Sequence, residues 1–211
     1  MALDEVLDEH EQGERVRAWL RDNGAALIAG VVLGLGAIFG WKWWQQQQHA
    51  DRVAAGAAYQ AAIEQVQAID PGQAAPLVAG LDAAPYETLG ALQLAHAQVG
   101  AGDVEAAIAT LRGAAVDDPA LHRVVQLRLA RLLIDAGKAD EALTLLAGAD
   151  QPSSLELRGD AAAALGRGDE ARASYEQSLA VLEAGAPQRR LVELKLVAVG
   201  GTPPVEDDAS R

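Results

Sequence analysis

The chain contains one long apolar stretch near its start. From Gly24 to Trp41, 18 residues carry no charged side chain. As a helix rising about 1.5 Å per residue, they span roughly 27 Å, close to the hydrocarbon thickness of a bilayer. Lys42 can extend its charge to the headgroups, and the neighbouring tryptophans are typical of the membrane interface, whereas a buried helix of a soluble protein has no need of the cluster WKWW. The pattern predicts a transmembrane helix over residues 24–44.

The sequence around this stretch favours an uncleaved anchor. A signal peptide has a short positive N-terminal region and a cleavage site directly after its apolar stretch. Here 23 residues precede the stretch, seven of them acidic, and a run of glutamines follows it. Three arginines (Arg15, Arg17 and Arg21) lie before the stretch, against Lys42 and Arg52 soon after it. Because positive residues accumulate on the cytoplasmic side, we expect residues 1–23 in the cytoplasm.

Glycines recur at four-residue spacing inside the predicted membrane helix. Gly30 and Gly34 form one such pair, and Gly36 and Gly40 form another. This spacing places small residues on a strip of the helix, where the backbone of a second membrane helix can approach closely. The four glycines are therefore candidate helix-packing positions. The alternative explanation is that glycine is common in membrane helices generally.

After the membrane stretch, apolar residues recur at helical spacing and never alternate as in a strand. From Val53 to Ile69 this spacing predicts that the helix continues to Asp70. A further short helix is predicted between Gln73 and Leu81, since Pro71-Gly72 and the turn at Pro85 flank it.

Three later stretches share one arrangement of small and large residues around a glycine: LAHAQVGAGDVEAAIATL, LARLLIDAGKADEALTLL and RGDAAAALGRGDEARASY. With Gly102, Gly137 and Gly166 superposed, a small residue stands seven positions before the glycine, an alanine five after, and a large residue nine after. In chain order these are Ala95, Ala130 and Gly159; Ala107, Ala142 and Ala171; and Leu111, Leu146 and Tyr175. Small residues let two antiparallel helices pack closely, and the large side chain fills the space beside them. The pattern predicts three helical hairpins.

The hairpin pattern resembles the tetratricopeptide repeat, a pair of helices with small residues at these contacts and a proline after the second helix. Pro119 closes the first stretch where that family places its proline. The usual tryptophan and tyrosine of the first helix are replaced, in the first stretch by Ala91 and Gln98. The glycines are 35 and then 29 residues apart, so the second unit has a shortened second helix. A chance array of alanine-rich helices is the alternative.

In repeat arrays of this kind, the first helices of successive units line a concave face that binds polypeptides. The repeat family's groove positions, carried over through the turn glycines, are Leu92, His96, Val99, Leu127, Arg131, Ile134 and Asp135. The alternative is that the apolar members, Leu92, Leu127 and Ile134, simply pack in the core.

The C-terminal region predicts one more helix and a tail. From Gln188 to Val199 the pattern predicts a helix that caps the array, with Leu191, Leu194, Val197 and Ala198 on one face. Residues 201–211 are predicted to form a disordered acidic tail. The predicted fold is therefore all-α: a transmembrane helix over 24–44, a tetratricopeptide-repeat-like α-hairpin array over 45–200, and a C-terminal capping helix within it.

Composition excludes several classes of function. The absence of cysteine excludes disulfides, thiolate metal sites and a lipidated N-terminal cysteine. The net charge is −13, and residues 45–211 carry 13 basic and 23 acidic side chains, a net of −10, which argues against nucleic-acid binding. The four histidines are scattered, and the sequence contains no HExxH, GxSxG or phosphate-loop motif. We therefore predict no catalytic residue, no metal site and no cofactor.

A second resemblance covers nearly the whole chain. Its residues are Arg17-Ala18-Trp19-Leu20, Asp22-Asn23-Gly24, the segment VVLGLGAIFGWKWWQQ, the helical repeats and the closing LVELKL. In this order they resemble the YfgM family of Gram-negative inner membranes. The resemblance implies an ancillary subunit of the SecYEG translocon, with its N-terminus in the cytoplasm and its repeat domain in the periplasm. It also implies association with the membrane-anchored chaperone PpiD.

These observations predict a non-enzymatic, single-span inner-membrane protein whose periplasmic repeats link exported polypeptides to chaperones beside the translocon. The alternative is a structural scaffold of another envelope complex, such as a secretion or division machine. Both need an anchor and a groove, so partner identity distinguishes them.

Overall fold

The computed structural model describes the backbone of residues 2–204 and the side chains of residues 13–204. Within this part of the chain all regular structure is helical, as predicted. The chain divides into two compact units, Met1–Ala54 and Ala55–Arg211. Residues 201–204 follow the last helix without regular structure, and the remainder of the predicted acidic tail lies outside the described residues.

The first two helices meet at a proline. Helix α1 runs from Ala2 to Ala68 and includes the predicted membrane stretch. Helix α2, Pro71–Ala79, begins and ends two residues earlier than predicted. Its start is set by Asp70, whose carboxylate accepts a hydrogen bond from the Gly72 backbone N–H at 2.8 Å, and by Pro71, which suits the first helical position because its missing N–H would be unpaired there.

The next six helices form the three predicted hairpins. They are α3 (Tyr86–Gly100) with α4 (Val104–Gly113), α5 (Pro119–Asp135) with α6 (Ala139–Leu145), and α7 (Pro152–Ala164) with α8 (Gly168–Val181). The turns contain Gly102, Gly137 and Gly166 at φ of 84°, 74° and 71°. This left-handed conformation costs a residue with a side chain about 1 kcal/mol or more, which explains the recurrence of glycine. Helix α6 is short, as the spacing predicts.

The small positions identified in the sequence are the contacts within the hairpins. All nine repeated positions are buried, and Ala107, Ala142 and Ala171 are fully inaccessible to solvent. Where the repeat family has a tyrosine, Gln98 is buried and its Oε1 accepts a hydrogen bond from the Thr110 hydroxyl at 2.8 Å. A hydrogen-bonded polar pair thus takes the place of an aromatic contact within the first hairpin. The buried Gln98 amide is tolerated there because Thr110 supplies a hydrogen-bond partner.

The third hairpin combines its small and large residues differently. The first two pair alanine with leucine, whereas here Gly159 faces Tyr175, whose side chain is buried. A Cβ at Gly159 would overlap the Tyr175 ring, with Cδ1 at 2.5 Å and Cζ at 2.8 Å. The larger aromatic side chain therefore fits because the facing residue has no side chain.

Ion pairs link consecutive hairpins at equivalent positions. Lys138 follows the second turn glycine, and its Nζ lies 2.7 Å from Oε1 of Glu105 in the first hairpin. Arg167 follows the third turn glycine, and one of its guanidinium nitrogens lies 2.7 Å from Oδ1 of Asp140 in the second hairpin. Exposed pairs like these are each worth less than about 1 kcal/mol, so their main effect is to favour one register between neighbouring repeats.

Helix α9, Arg189–Ala198, covers the third hairpin, but with a face other than the predicted one. Leu191, Leu194 and Val197 are 50%, 55% and 53% exposed, whereas Val192 and Leu196 are completely buried against α8 and α7 residues. The expected inner face was wrong. Apolar residues surround most of this short helix, so spacing alone does not select the buried side.

We predict that Gly159→Ala destabilises the repeat domain by about 1–3 kcal/mol, because the new methyl group overlaps the Tyr175 ring. The double variant Gly159→Ala/Tyr175→Leu recreates the alanine–leucine pair of the other hairpins and should recover part of that loss. Urea unfolding of the full chain in detergent, followed by circular dichroism, measures both effects. Gly113→Ala is the matched control, since a Cβ there meets nothing within 4 Å. Equal stability of Gly159→Ala and the control would contradict the assigned contact.

Candidate functional site

The membrane stretch of α1 has no protein covering it within the described residues. Large apolar side chains on several sides are mostly exposed, including Ile28 (67%), Leu33 (73%) and Phe39 (69%). It is the one helix in the described part of the chain that is long and apolar enough to cross a bilayer. A helix that is apolar all round is stable in lipid, where its backbone is already hydrogen-bonded internally. This stretch therefore has the length and composition of a membrane-spanning anchor.

Two tryptophan rings lie together at the end of the apolar stretch. The Trp41 and Trp44 rings lie 5.2 Å apart at a tilt of 50°, next to Lys42, as in an interfacial aromatic belt.

At the four predicted packing positions, Gly30, Gly34, Gly36 and Gly40, an added Cβ would meet nothing within 4 Å. At 100° per residue, the two glycine pairs lie about 120° apart around the helix, so they form two rows instead of one strip.

The repeat domain contains a groove along its first helices, α3, α5 and α7. Its volume is about 560 Å³. Six of the seven predicted groove residues line it: Leu92, His96, Val99, Leu127, Arg131 and Asp135. Ile134 does not line it, because its partly buried side chain packs against the main core.

The groove has an apolar floor and a charged rim. Leu92, at 6% exposure, belongs to the core as well as to the floor, and Leu127 also packs on that core. These two leucines therefore pack in the core, as the alternative interpretation expected, and also line the groove. His96, Arg131 and Asp135 are exposed at the rim. Apolar area with a few charged groups at its edge suits binding of another molecule.

Residues that the sequence interpretation missed also line this groove. Arg128 on α5 lies between predicted positions, and Ser153, Glu156 and Leu157 come from the third hairpin. A signal for Glu156 was present: it stands ten residues before its turn glycine, as Leu92 and Leu127 stand before theirs. Applying the repeat register to all three hairpins would have identified it.

Glu156 connects the groove to a polar network behind it. Lys195 of α9 places its Nζ 2.6 Å from Oε1 of Glu156 and 2.7 Å from Oδ2 of Asp160. The Tyr175 hydroxyl donates a hydrogen bond to Oδ1 of Asp160 at 2.8 Å. Side chains from three helices therefore meet here, and the capping helix holds one wall of the groove.

The network changes the ionisation of two of its members. Burial, helped by the hydrogen bond to Asp160 and by the negative charges nearby, raises the pKa of the Tyr175 hydroxyl well above its usual value. For Lys195, burial works to lower the pKa, but the hydrogen bonds to Asp160 and Glu156 outweigh it, so the pKa is raised. Both groups therefore hold their protons more tightly in the folded protein.

A family model described as "Tetratricopeptide repeat-like domain" matches residues 17–201. The chain is 34% identical over 177 residues to the "Ancillary SecYEG translocon subunit" of Escherichia coli (strain K12), covering 80% of this chain and 86% of that protein. The chain belongs to the YfgM family. Proteins of the same name from Haemophilus influenzae and Aggregatibacter actinomycetemcomitans are 29% and 28% identical to it. These matches cover 82% and 90% of this YfgM-family chain, and 89% and 97% of the relatives.

The groove of this YfgM-family chain combines apolar and charged side chains. Within residues 13–204, no group of three or more His, Asp or Glu side chains is placed to hold a metal ion. The groove brings together aliphatic side chains, two arginines, a histidine and two carboxylates. Such a surface can hold a polypeptide segment through apolar contact and charge pairing.

We predict that the YfgM-family repeat domain loses stability as pH rises above about 10, because Tyr175 and Lys195 have raised pKa values. Their contribution is complete below the pKa values of the unfolded chain, and it falls as pH rises towards those of the folded state. Tyr175→Phe removes one of these groups, so its free energy of unfolding should depend less on pH between about 9 and 11. Urea unfolding at several pH values tests this. The same pH dependence in wild type and Tyr175→Phe would contradict the linkage.

Proposed function

We propose that this chain is an ancillary subunit of the SecYEG translocon. The observation that carries the proposal is its 34% identity, over 80% of its length, to an Escherichia coli protein named for that role. Two further relatives with the same name match 82% and 90% of the chain. A membrane anchor would keep the protein beside a membrane channel for polypeptides, and a groove of this size would bind a polypeptide segment there.

We further propose the topology and domain organisation. Residues 24–44 cross the inner membrane, residues 1–23 lie in the cytoplasm, residues 45–200 form the periplasmic repeat domain, and residues 201–211 form a tail. The supporting feature is the excess of arginines before the apolar stretch: Arg15, Arg17 and Arg21 against Lys42 and Arg52. The open positions at Gly30, Gly34, Gly36 and Gly40 support contact with a membrane helix of a partner.

The proposed mechanism is tethering without catalysis. The anchor keeps the repeat domain at one membrane site, and the groove binds a polypeptide there, which raises the local concentration of each partner for the other. Exported polypeptides and the membrane-anchored chaperone PpiD are the proposed partners, on the strength of the YfgM resemblance. No cofactor is needed for this function.

Affinity purification in mild detergent tests the partnership. We expect the tagged full chain to recover translocon subunits and PpiD from native membranes. Gly34→Leu, which fills an open small-residue position, should reduce recovery of the partner whose membrane helix packs there, while the repeat domain remains folded. Val32→Leu is the control, since Val32 is already a large and exposed side chain.

Two outcomes would contradict the partnership. Failure to recover translocon or chaperone components, under conditions that recover a known membrane neighbour, would reject the proposed role. Recovery of division or other secretion components instead would favour the scaffold alternative. Unchanged recovery with Gly34→Leu would reject the glycine contact alone.

Protease accessibility in spheroplasts tests the topology. External protease should digest the repeat domain and leave a short membrane-protected N-terminal fragment, because the domain after residue 44 is proposed to lie in the periplasm. A cytoplasmic marker protein must remain intact as the control for lysis. Protection of the repeat domain until detergent is added would reverse the proposed orientation.

A further inference from the structure

We propose that the groove selects an extended polypeptide segment in which apolar side chains are accompanied by at least one acidic side chain. The proposal rests on the proposed function of the groove as a polypeptide site and adds the chemical class of its occupant. It is carried by two arginines in the groove that have no carboxylate partner among the described residues.

The floor of the groove provides the apolar part of this selection. Leu92, Leu111 and Leu157 are buried members of the main core that also line the groove, and Val99 is partly exposed on its wall. The volume of about 560 Å³ falls within the ~300–1,000 Å³ typical of sites for small ligands. The groove therefore accommodates a short segment with a few apolar side chains.

Arg128 and Arg131 provide the charged part. Most basic side chains elsewhere in the domain pair with carboxylates, as Lys138 does with Glu105 and Arg167 with Asp140, while Arg123 and Arg158 form no ion pair within the described residues. Neither Arg128 nor Arg131 forms an ion pair or side-chain hydrogen bond within the described residues, and both are exposed on the groove side of α5. An acidic domain with a net charge of −10 over residues 45–211 thus leaves two guanidinium groups unneutralised at its groove.

The other charged groups that face the groove do not cancel this positive charge. Glu156 is paired with Lys195 at 2.6 Å through Oε1, and within the described residues it forms no ion pair with Arg128 or Arg131. Asp135 is the remaining acidic residue of the lining, and His96 is the remaining titratable side chain. Within the described lining, two unpaired guanidinium groups, Arg128 and Arg131, therefore accompany one unpaired carboxylate, Asp135.

Guanidinium groups prefer carboxylates because they can form two parallel charge-assisted hydrogen bonds. A glutamate or aspartate of a bound segment can form these bonds at the rim while its neighbours contact the leucines of the floor. A lysine or arginine in the same position would be repelled. The net negative charge of the whole domain favours basic segments at long range, so a preference for acidic ones must arise locally from these two arginines.

Fluorescence anisotropy with three short labelled peptides tests the selection. The probes alternate leucine with glutamate, with glutamine or with lysine, and the full chain is held in nanodiscs of neutral lipid, with empty nanodiscs as the background. We expect the leucine–glutamate probe to bind about fivefold or more tightly than the other two, with an advantage that shrinks as salt is added.

Matched variants assign the preference to the groove. Arg128→Gln and Arg131→Gln should each remove most of the preference for glutamate, whereas Arg123→Gln should keep it. Arg123 lies on the same helix, is likewise exposed and unpaired within the described residues, and does not line the groove. All three substitutions change the net charge equally, so a difference between them cannot come from long-range attraction.

The outcomes separate this inference from the function on which it rests. Equal binding of all three probes would overturn the acidic preference and leave the groove as a polypeptide site. Loss of preference in Arg123→Gln to the same degree would also overturn it. Absence of binding by every probe would reject both the preference and the groove as a polypeptide site, while recovery of translocon subunits through the anchor would be unaffected.

Discussion

Close approach of helix backbones at small residues is the contact on which the repeat domain depends. Alanine buries little apolar surface per side chain, and this chain has few aromatic residues to compensate. Stability must then come from dispersion between closely packed helices, which requires small residues where the helices meet. Ala107, Ala142 and Ala171 occupy such positions with no exposed surface. The leucines and the tyrosine beside them fill the remaining space, so that hairpins without large cores still stack.

The third hairpin connects this packing to the binding surface. Removing the side chain at Gly159 admits the Tyr175 ring, and the ring carries a hydroxyl that reaches Asp160. Asp160 and Glu156 together bind Lys195 of the capping helix. The capping helix therefore closes the core and also neutralises a carboxylate that lines the groove. In this way the same contacts that end the repeat array set the charge at one end of its concave face.

The repeat domain has a negative net charge but carries unpaired positive charge at its groove. Ion pairs near the turns use basic residues to join neighbouring hairpins, as between Arg167 and Asp140. Arg128 and Arg131 are left without such partners within the described residues, at the groove between the first helices. A strongly acidic domain can thus present a locally positive surface, because rim charges act over distances shorter than the width of the domain.

The sequence by itself determined the helical class, the apolar stretch of membrane length and the three hairpins, because these depend on local spacing: an uncharged stretch long enough for a bilayer, and small residues at fixed distances from turn glycines. Tertiary structure alone decided the side on which α9 is buried. Its apolar residues lie on nearly all sides, and the observed orientation buries Val192 and Leu196, leaves Leu194 exposed and lets Lys195 reach Glu156 and Asp160. It also decided which arginines remain unpaired, since partners such as Lys138 and Glu105 are 33 residues apart in sequence and meet only when the repeats stack.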